Sequence, residues 1–224
     1  VLSPLRCTAS YEKYLERAEA ARRETAAEIR AEYLEPFSGN GLFIDAQSER
    51  VKDALCLIPQ GDLRKPFFLF TAHSIPVMMS EGSGYASQFS AAAAAVARKL
   101  GCTSWGTAYQ SRSGNPREPW LGPDVKEAVR KIDQRHFKRV IVVPVGFVSD
   151  NVEVLYDLDV ELRRETEGLG LGYFRASTVM DHPKFIQMMG EEILLSLRGV
   201  TKRWQSNFST VISSPPEAGE KSAS

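Results

Sequence analysis

His73 closes an apolar run, Pro66-Phe67-Phe68-Leu69-Phe70-Thr71-Ala72, with the composition of a strand buried on both faces. A residue there points into the crevice beyond the strand end. A neutral imidazole in such a place can bind a borderline metal ion or accept a proton near neutral pH. The plain alternative is a loop histidine bonded to backbone.

The second group is acidic. In Asp150-Asn151-Val152-Glu153-Val154-Leu155-Tyr156-Asp157-Leu158-Asp159-Val160-Glu161 the residues Glu153, Asp157 and Glu161 recur at every fourth position. On a helix they form one stripe with about 6 Å between steps, and like charges at that spacing cost roughly 0.2–0.5 kcal/mol per pair. A divalent cation would offset the repulsion. Two other readings stand beside this one. Asp150 and Glu153 can make a capping box whose acids suit the helix dipole. Residues 156–162 also alternate apolar and acidic, and a strand would align Asp157, Asp159 and Glu161 instead.

The third group is the loop Tyr109-Gln110-Ser111 through Pro119-Trp120-Leu121-Gly122-Pro123. Prolines on both sides stiffen the Trp120 segment, and a rigid loop can present an indole to a flat ligand. Arg112 and Arg117 could pair with ligand carboxylates; equally, Trp120 could plug the adjacent core. Glu81-Gly82-Ser83-Gly84 lacks the spacing of a phosphate-binding loop and reads as turn geometry. His136 and His182 stand at helix boundaries and are given no role.

Strands alternate with helices around these groups. Helices are expected over 8–32, 42–58, 85–100, from Asp124 onward with a capping box at Asp124 to Glu127, over 150–167 and over 183–198. Strands are expected over 66–72, 103–110, 139–144 and near Tyr173. Segments 71–84, 110–123 and 144–153 are expected as loops. The pattern implies an α/β fold of the Rossmann type, a parallel sheet with helices on both faces. Ligands in such folds sit beyond the carboxyl ends of the strands, where all three groups fall.

Composition narrows the function. Of 224 residues, 43% are apolar and 25% charged, and 28 Lys and Arg balance 28 Asp and Glu. Zero net charge gives no general reason to expect a nucleic-acid partner. Cys7, Cys56 and Cys102 form no C-x-x-C pair and suit a reducing compartment. No apolar run reaches the ~18 residues of a membrane span. The first residue is Val1, and a chain lacking an N-terminal part is expected. Residues 201–224 are rich in Ser, Pro, Glu and Lys and read as a disordered tail.

Three segments in this order resemble the ferrochelatase family. They are Phe70-Thr71-Ala72-His73-Ser74-Ile75-Pro76, then Gln110-Ser111 through Pro119-Trp120-Leu121-Gly122-Pro123, then Val143-Pro144-Val145-Gly146-Phe147-Val148-Ser149-Asp150 with Glu153-Val154-Leu155-Tyr156-Asp157. The likeness extends over nearly all the chain to about residue 200, including Leu2-Ser3-Pro4-Leu5 with Ser10-Tyr11 and the closing Asp181-His182-Pro183. It implies insertion of ferrous iron into a porphyrin, protoporphyrin or coproporphyrin, in haem biosynthesis. It implies His73 and Glu153 as the catalytic pair, with Asp157 and Glu161 completing the metal-handling set. Trp120, Tyr85 and Ser74 are the implied porphyrin contacts. It further implies two similar domains with the porphyrin between them. Residues 1–32 would then lead into a second domain over 33–181 with its C-terminal helix over 182–200, and the first domain would be missing.

Two departures stand out. Relatives often carry His where this chain has Asn151, and Asp-Pro where it has Ser83-Gly84. The C-terminal cysteines that hold an iron–sulfur cluster in some relatives are absent, so no such cluster is expected; Cys7 alone cannot hold one. A cytoplasmic location is expected, with room for peripheral membrane association. Competing readings are a cobalt or nickel chelatase of another tetrapyrrole, a non-catalytic porphyrin- or haem-binding protein, and a binding module for some other flat ligand. Relatives that insert cobalt or nickel usually pair histidines, and only His73 lies at a strand end here.

Overall fold

The structure, a computed structural model, describes residues 4–25, 31–59, 65–115 and 117–198. The expected tail and the residues before Pro4 lie outside these. A π-helical turn, Thr8–Glu12, runs into α1, Lys13–Glu24. The helix expected to reach residue 32 is therefore shorter among the described residues, since 31–37 has no regular structure. Helix α2, Gly41–Cys56, starts at Asn40, whose side chain accepts from the Leu42 N–H. Next come strand β1, Phe67–His73, helix α3, Val77–Ser83, and helix α4, Tyr85–Leu100. Strand β2, Trp105–Gln110, leads through the proline-flanked loop to α5, Val125–Arg130. Asp124 caps α5 by accepting from the Lys126 N–H at 2.8 Å. After strand β3, Arg139–Val143, a nine-residue π-helix, Val154–Leu162, passes into α6, Arg163–Gly168. Strand β4, Gly172–Arg175, and helix α7, Pro183–Leu197, are the last elements among the described residues.

The four strands are all parallel and lie in the order β2-β1-β3-β4. The two-residue alternation of the central strands divides the core. Phe70, Ile141 and Val143 pack on α2 and α4 with Phe43, Phe89 and Val96. Leu69, Val140 and Val142 face Val125 and Val129 of α5 and Val154, Leu158 and Leu162 of the π-helix. The small residues Ala92 and Ala93 are buried, as the alanine run suggests. Helix α7 docks through Phe185 and Met188. The Phe185 ring meets Phe37 with centroids 5.6 Å apart and Phe43 at 6.4 Å.

Two local expectations are corrected. Segment 71–84 is not all loop, because α3 occupies its second half and ends at Gly84, whose φ of +68° turns the chain directly into α4. Residues 154–162 are helical, which excludes the strand alternative, yet the turn is wider than an α-helix. The Arg163 N–H reaches back five residues to the Leu158 carbonyl.

Candidate active site at the switch point of the sheet

Strand order reverses beside β1. The chain leaves β1 for β2 on one side, then returns to place β3 on the other. The carboxyl ends of β1 and β3 flank the crevice so formed, the usual ligand position in open α/β sheets. His73 is the last residue of β1, and Glu153 opens the helix after β3. Gly146 lets the two ends approach. A Cβ there would lie 2.6 Å from Ala72 Cβ and 2.8 Å from Ala72 Cα, and the Gly146 N–H donates to the Thr71 carbonyl.

The pair meets in this crevice. His73 Nε2 lies 3.8 Å from Glu153 Oε2, with the side chains 31% and 48% exposed. His73 Nδ1 is 2.5 Å from the Ser74 carbonyl oxygen. A carbonyl only accepts, so Nδ1 carries the hydrogen, and a neutral ring would present its Nε2 lone pair toward Glu153. Lone pairs thus face each other across a gap too long for a direct hydrogen bond. A divalent cation with bonds of about 2.1 Å to each would sit slightly off the line joining them. A proton or water can bridge the same gap.

The remaining acids of the stripe meet other partners. Asp157 accepts a hydrogen bond from Ser111 Oγ. Glu161 pairs with Lys126 Nζ at 2.9 Å. The three carboxylates form a line leading from His73 past β2 to α5. Among the described residues no three His, Cys, Asp or Glu side chains converge as a metal site. Ser111 has a φ of +59°, a left-handed backbone that a non-glycine residue adopts at a cost.

The expected porphyrin contacts lie around this line. Ser74 is buried and donates its hydroxyl to the Leu121 carbonyl at 2.9 Å. Together with Leu121 N–H to Ile75 O and Val77 N–H to Pro119 O, that bond zips the 111–123 loop onto the segment after β1. Trp120 is half-buried there, bridged to Pro76. Its ring packs so closely on Gly114 that a Cβ would come within 2.8 Å. Its indole N–H is buried with no partner among the described residues. Tyr85 is buried, and its hydroxyl donates to the His73 carbonyl at 3.0 Å. Burial holds the Tyr85 phenol far above its usual pKa. Ser74 and Tyr85 therefore hold the loop and the His73 backbone.

Asp150 does not cap the helix as expected. Asn151 Oδ1 takes that role, accepting from the Val154 N–H at 2.9 Å. Asp150 instead bonds Arg175 at 3.0 Å. Ser111, Lys126 and Arg175 carried no signal by type or spacing as site residues. Gln110 and Thr71 carry no such signal either. Alternation and register put both on the His73 face of the sheet, fully buried, with side-chain polar atoms unpartnered among the described residues. His182 is structural: Nδ1 accepts from the Lys184 N–H, and Nε2 lies 3.1 Å from Glu49.

The ferrochelatase family model matches residues 1–196. The chain belongs to the ferrochelatase family. A coproporphyrin III ferrochelatase of Geobacillus sp. (strain WCH70) is 33% identical over 200 residues, 88% of this chain and 64% of that protein. A ferrochelatase of Rhodopirellula baltica is 39% identical over 148 residues, 66% of this chain and 42% of the other. A coproporphyrin III ferrochelatase of Mycolicibacterium smegmatis is 34% identical over 198 residues, 87% and 58% of the two chains. This ferrochelatase-family chain thus spans less than two thirds of the length of these relatives. No helix among its described residues is long and apolar enough to cross a membrane.

Proposed function

We propose that this chain supplies the metal-handling wall of a ferrochelatase, which inserts ferrous iron into a porphyrin and releases two protons in haem biosynthesis. One observation carries the reading: His73 and Glu153 come from opposite sides of the sheet's switch point and face each other 3.8 Å apart. Metallation breaks two pyrrole N–H bonds and forms bonds from iron to the ring nitrogens. The site needs proton acceptors beside a weak metal site, since a full set of ligands would hold the iron too well to pass it on. One imidazole lone pair and one carboxylate meet that need. His73 Nε2 takes a pyrrole proton, Glu153 shares the second or the incoming iron, and Asp157 and Glu161 conduct iron inward or protons outward. Trp120, fixed by Gly114 and the zipped loop, offers the macrocycle a flat wall. The site is open, and a second wall closing over it, together with its substrate contacts, belongs to this reading.

His73→Ala tests it, with zinc as a stable surrogate for iron and insertion followed by porphyrin absorbance and fluorescence. The variant is expected to bind porphyrin with the small band shift of the parent and to lose insertion. Retained insertion would refute the role of His73. Band shifts with no metallation in the parent chain would mean binding without chelation.

A further inference from the structure

The π-helix that carries the acids needs something to hold it. A run of turns with five-residue hydrogen bonds is rare and is normally limited to a single turn inside an α-helix. The sequence Val154-Leu155-Tyr156-Asp157-Leu158-Asp159-Val160-Glu161-Leu162 contains no Pro or Gly to force it, and its leucines favour an ordinary α-helix. A slip of one residue toward α geometry would turn the side chains beyond it by about 100° about the helix axis.

Arg175, at the carboxyl end of β4, bridges this segment at two places. Its Nε and Nη2 bond Asp159 Oδ1 and Oδ2, both at 2.8 Å, and its Nη1 bonds Asp150 Oδ1 at 3.0 Å. Asp159 lies inside the π-helix beyond Glu153, and Asp150 lies just before it. The side chains of Arg175, Asp150 and Asp159 are only 10%, 17% and 25% exposed. Asp150 Oδ1 also accepts from the Thr178 N–H, and Arg175 Nη1 donates to the Ala176 carbonyl, tying the bridge to the chain after β4. Arg163 Nη2 also lies 3.9 Å from Asp159 Oδ1.

We infer that Arg175 is a positioning residue: its fork fixes the distance between Asp150 and Asp159 and so keeps the intervening helix in the π form that aims Glu153 at His73. A planar guanidinium bonding two carboxylates sets both spacing and angle, which an ammonium cannot do. The consequence for chelation rests on the function proposed above. The clamp itself does not.

The test compares Arg175→Met with Arg130→Met, which breaks the Arg130–Glu165 pair between α5 and α6 without touching either aspartate. Amide hydrogen exchange over residues 154–162 is expected to quicken at least about ten-fold in Arg175→Met and to stay unchanged in Arg130→Met. Zn²⁺ alone is then titrated against the ¹⁵N resonances of the His73 ring. Loss of a residue that orients metal ligands costs about 10- to 100-fold in affinity, so Arg175→Met should weaken Zn²⁺ by that factor while Arg130→Met does not. Arg175→Lys should fail to rescue. Should Arg175→Met not fold, Asp159→Asn tests the same bridge, with a smaller change of the same sign. Unchanged exchange over 154–162 overturns the clamp. Faster exchange with parental Zn²⁺ affinity makes it a stabilising contact only and likewise overturns the inference. If the parent chain takes up no Zn²⁺ at His73, the chelation reading falls and the exchange comparison alone judges the clamp.

Discussion

The hydroxyl of Tyr85 donates to the backbone carbonyl of His73 across 3.0 Å of buried space. Tyr85 opens α4 and His73 closes β1, so this bond fixes the strand end against the next layer. Tyr85→Phe keeps the ring and removes the bond. A buried hydrogen bond of this kind contributes about 0.5–1.5 kcal/mol. Urea unfolding should show a loss of that size with an unchanged slope, and zinc insertion should slow through kcat more than through KM.

Gly146→Ala is expected to be far more damaging than its size suggests. The added methyl meets Ala72 Cα at 2.8 Å, and that atom is backbone of a central strand. Relief requires β1 and the turn after β3 to part, which costs about 1–3 kcal/mol by the experience of overpacked interiors. Denaturant midpoints give the stability. The same separation should widen the His73–Glu153 gap and depress insertion beyond the stability loss.

Met180 should tolerate replacement to advantage. Its φ of +38° is a left-handed conformation, and its side chain is 48% exposed. Asparagine enters that region more readily. Met180→Asn is expected to raise stability by up to about 1 kcal/mol, the low end of what a non-glycine residue in that region costs. Thermal unfolding checks it, and a lower midpoint would mean that the exposed thioether contributes more than the backbone strain costs.

The cysteines should separate by reactivity. Cys56 is exposed, and Cys7 is buried against the Met79 sulfur at 3.5 Å. Burial pushes the Cys102 thiol up to about 11. A raised pKa favours the neutral thiol, so near pH 8 only about one part in a thousand of Cys102 is the reactive thiolate. Alkylation at pH 8, located by mass spectrometry, is expected to mark Cys56 first and to reach Cys102 only as the pH approaches 11. Rapid labelling of Cys102 at pH 8 would show an environment more polar than the structure gives.

The sheet and its central strands were legible because fully apolar runs and alanine-rich helices state their burial locally. Phe67 to Ala72 and Arg139 to Val143 could hardly be anything else, and His73 stood out by closing one of them. Helix α3 was missed because Val77-Met78-Met79 is short and Met78 is 79% exposed, so no amphipathic period marks it. The π form was missed because a five-residue hydrogen bond has no composition of its own; on this reading it is held from β4 by Arg175. Asp150 looked like half of a capping box, and locally it is suited to one. A partner brought in from twenty-five residues later took it instead, and Asn151 supplied the cap. The engagements of Asp157 with Ser111 and of Glu161 with Lys126 are tertiary for the same reason. Spacing could propose the stripe of acids but not what each would meet.

The β2-β1-β3-β4 order also sets when His73 and Glu153 can meet. The chain must build outward to one edge before doubling back across its starting strand, and only that last crossing brings residue 153 beside residue 73. A chain holding only β1, β2 and α4, however native in helix content, lacks the His73–Glu153 pair. Recovery of any metal insertion during refolding should therefore trail the return of secondary structure, marking completion of the most non-local pairing in the sheet.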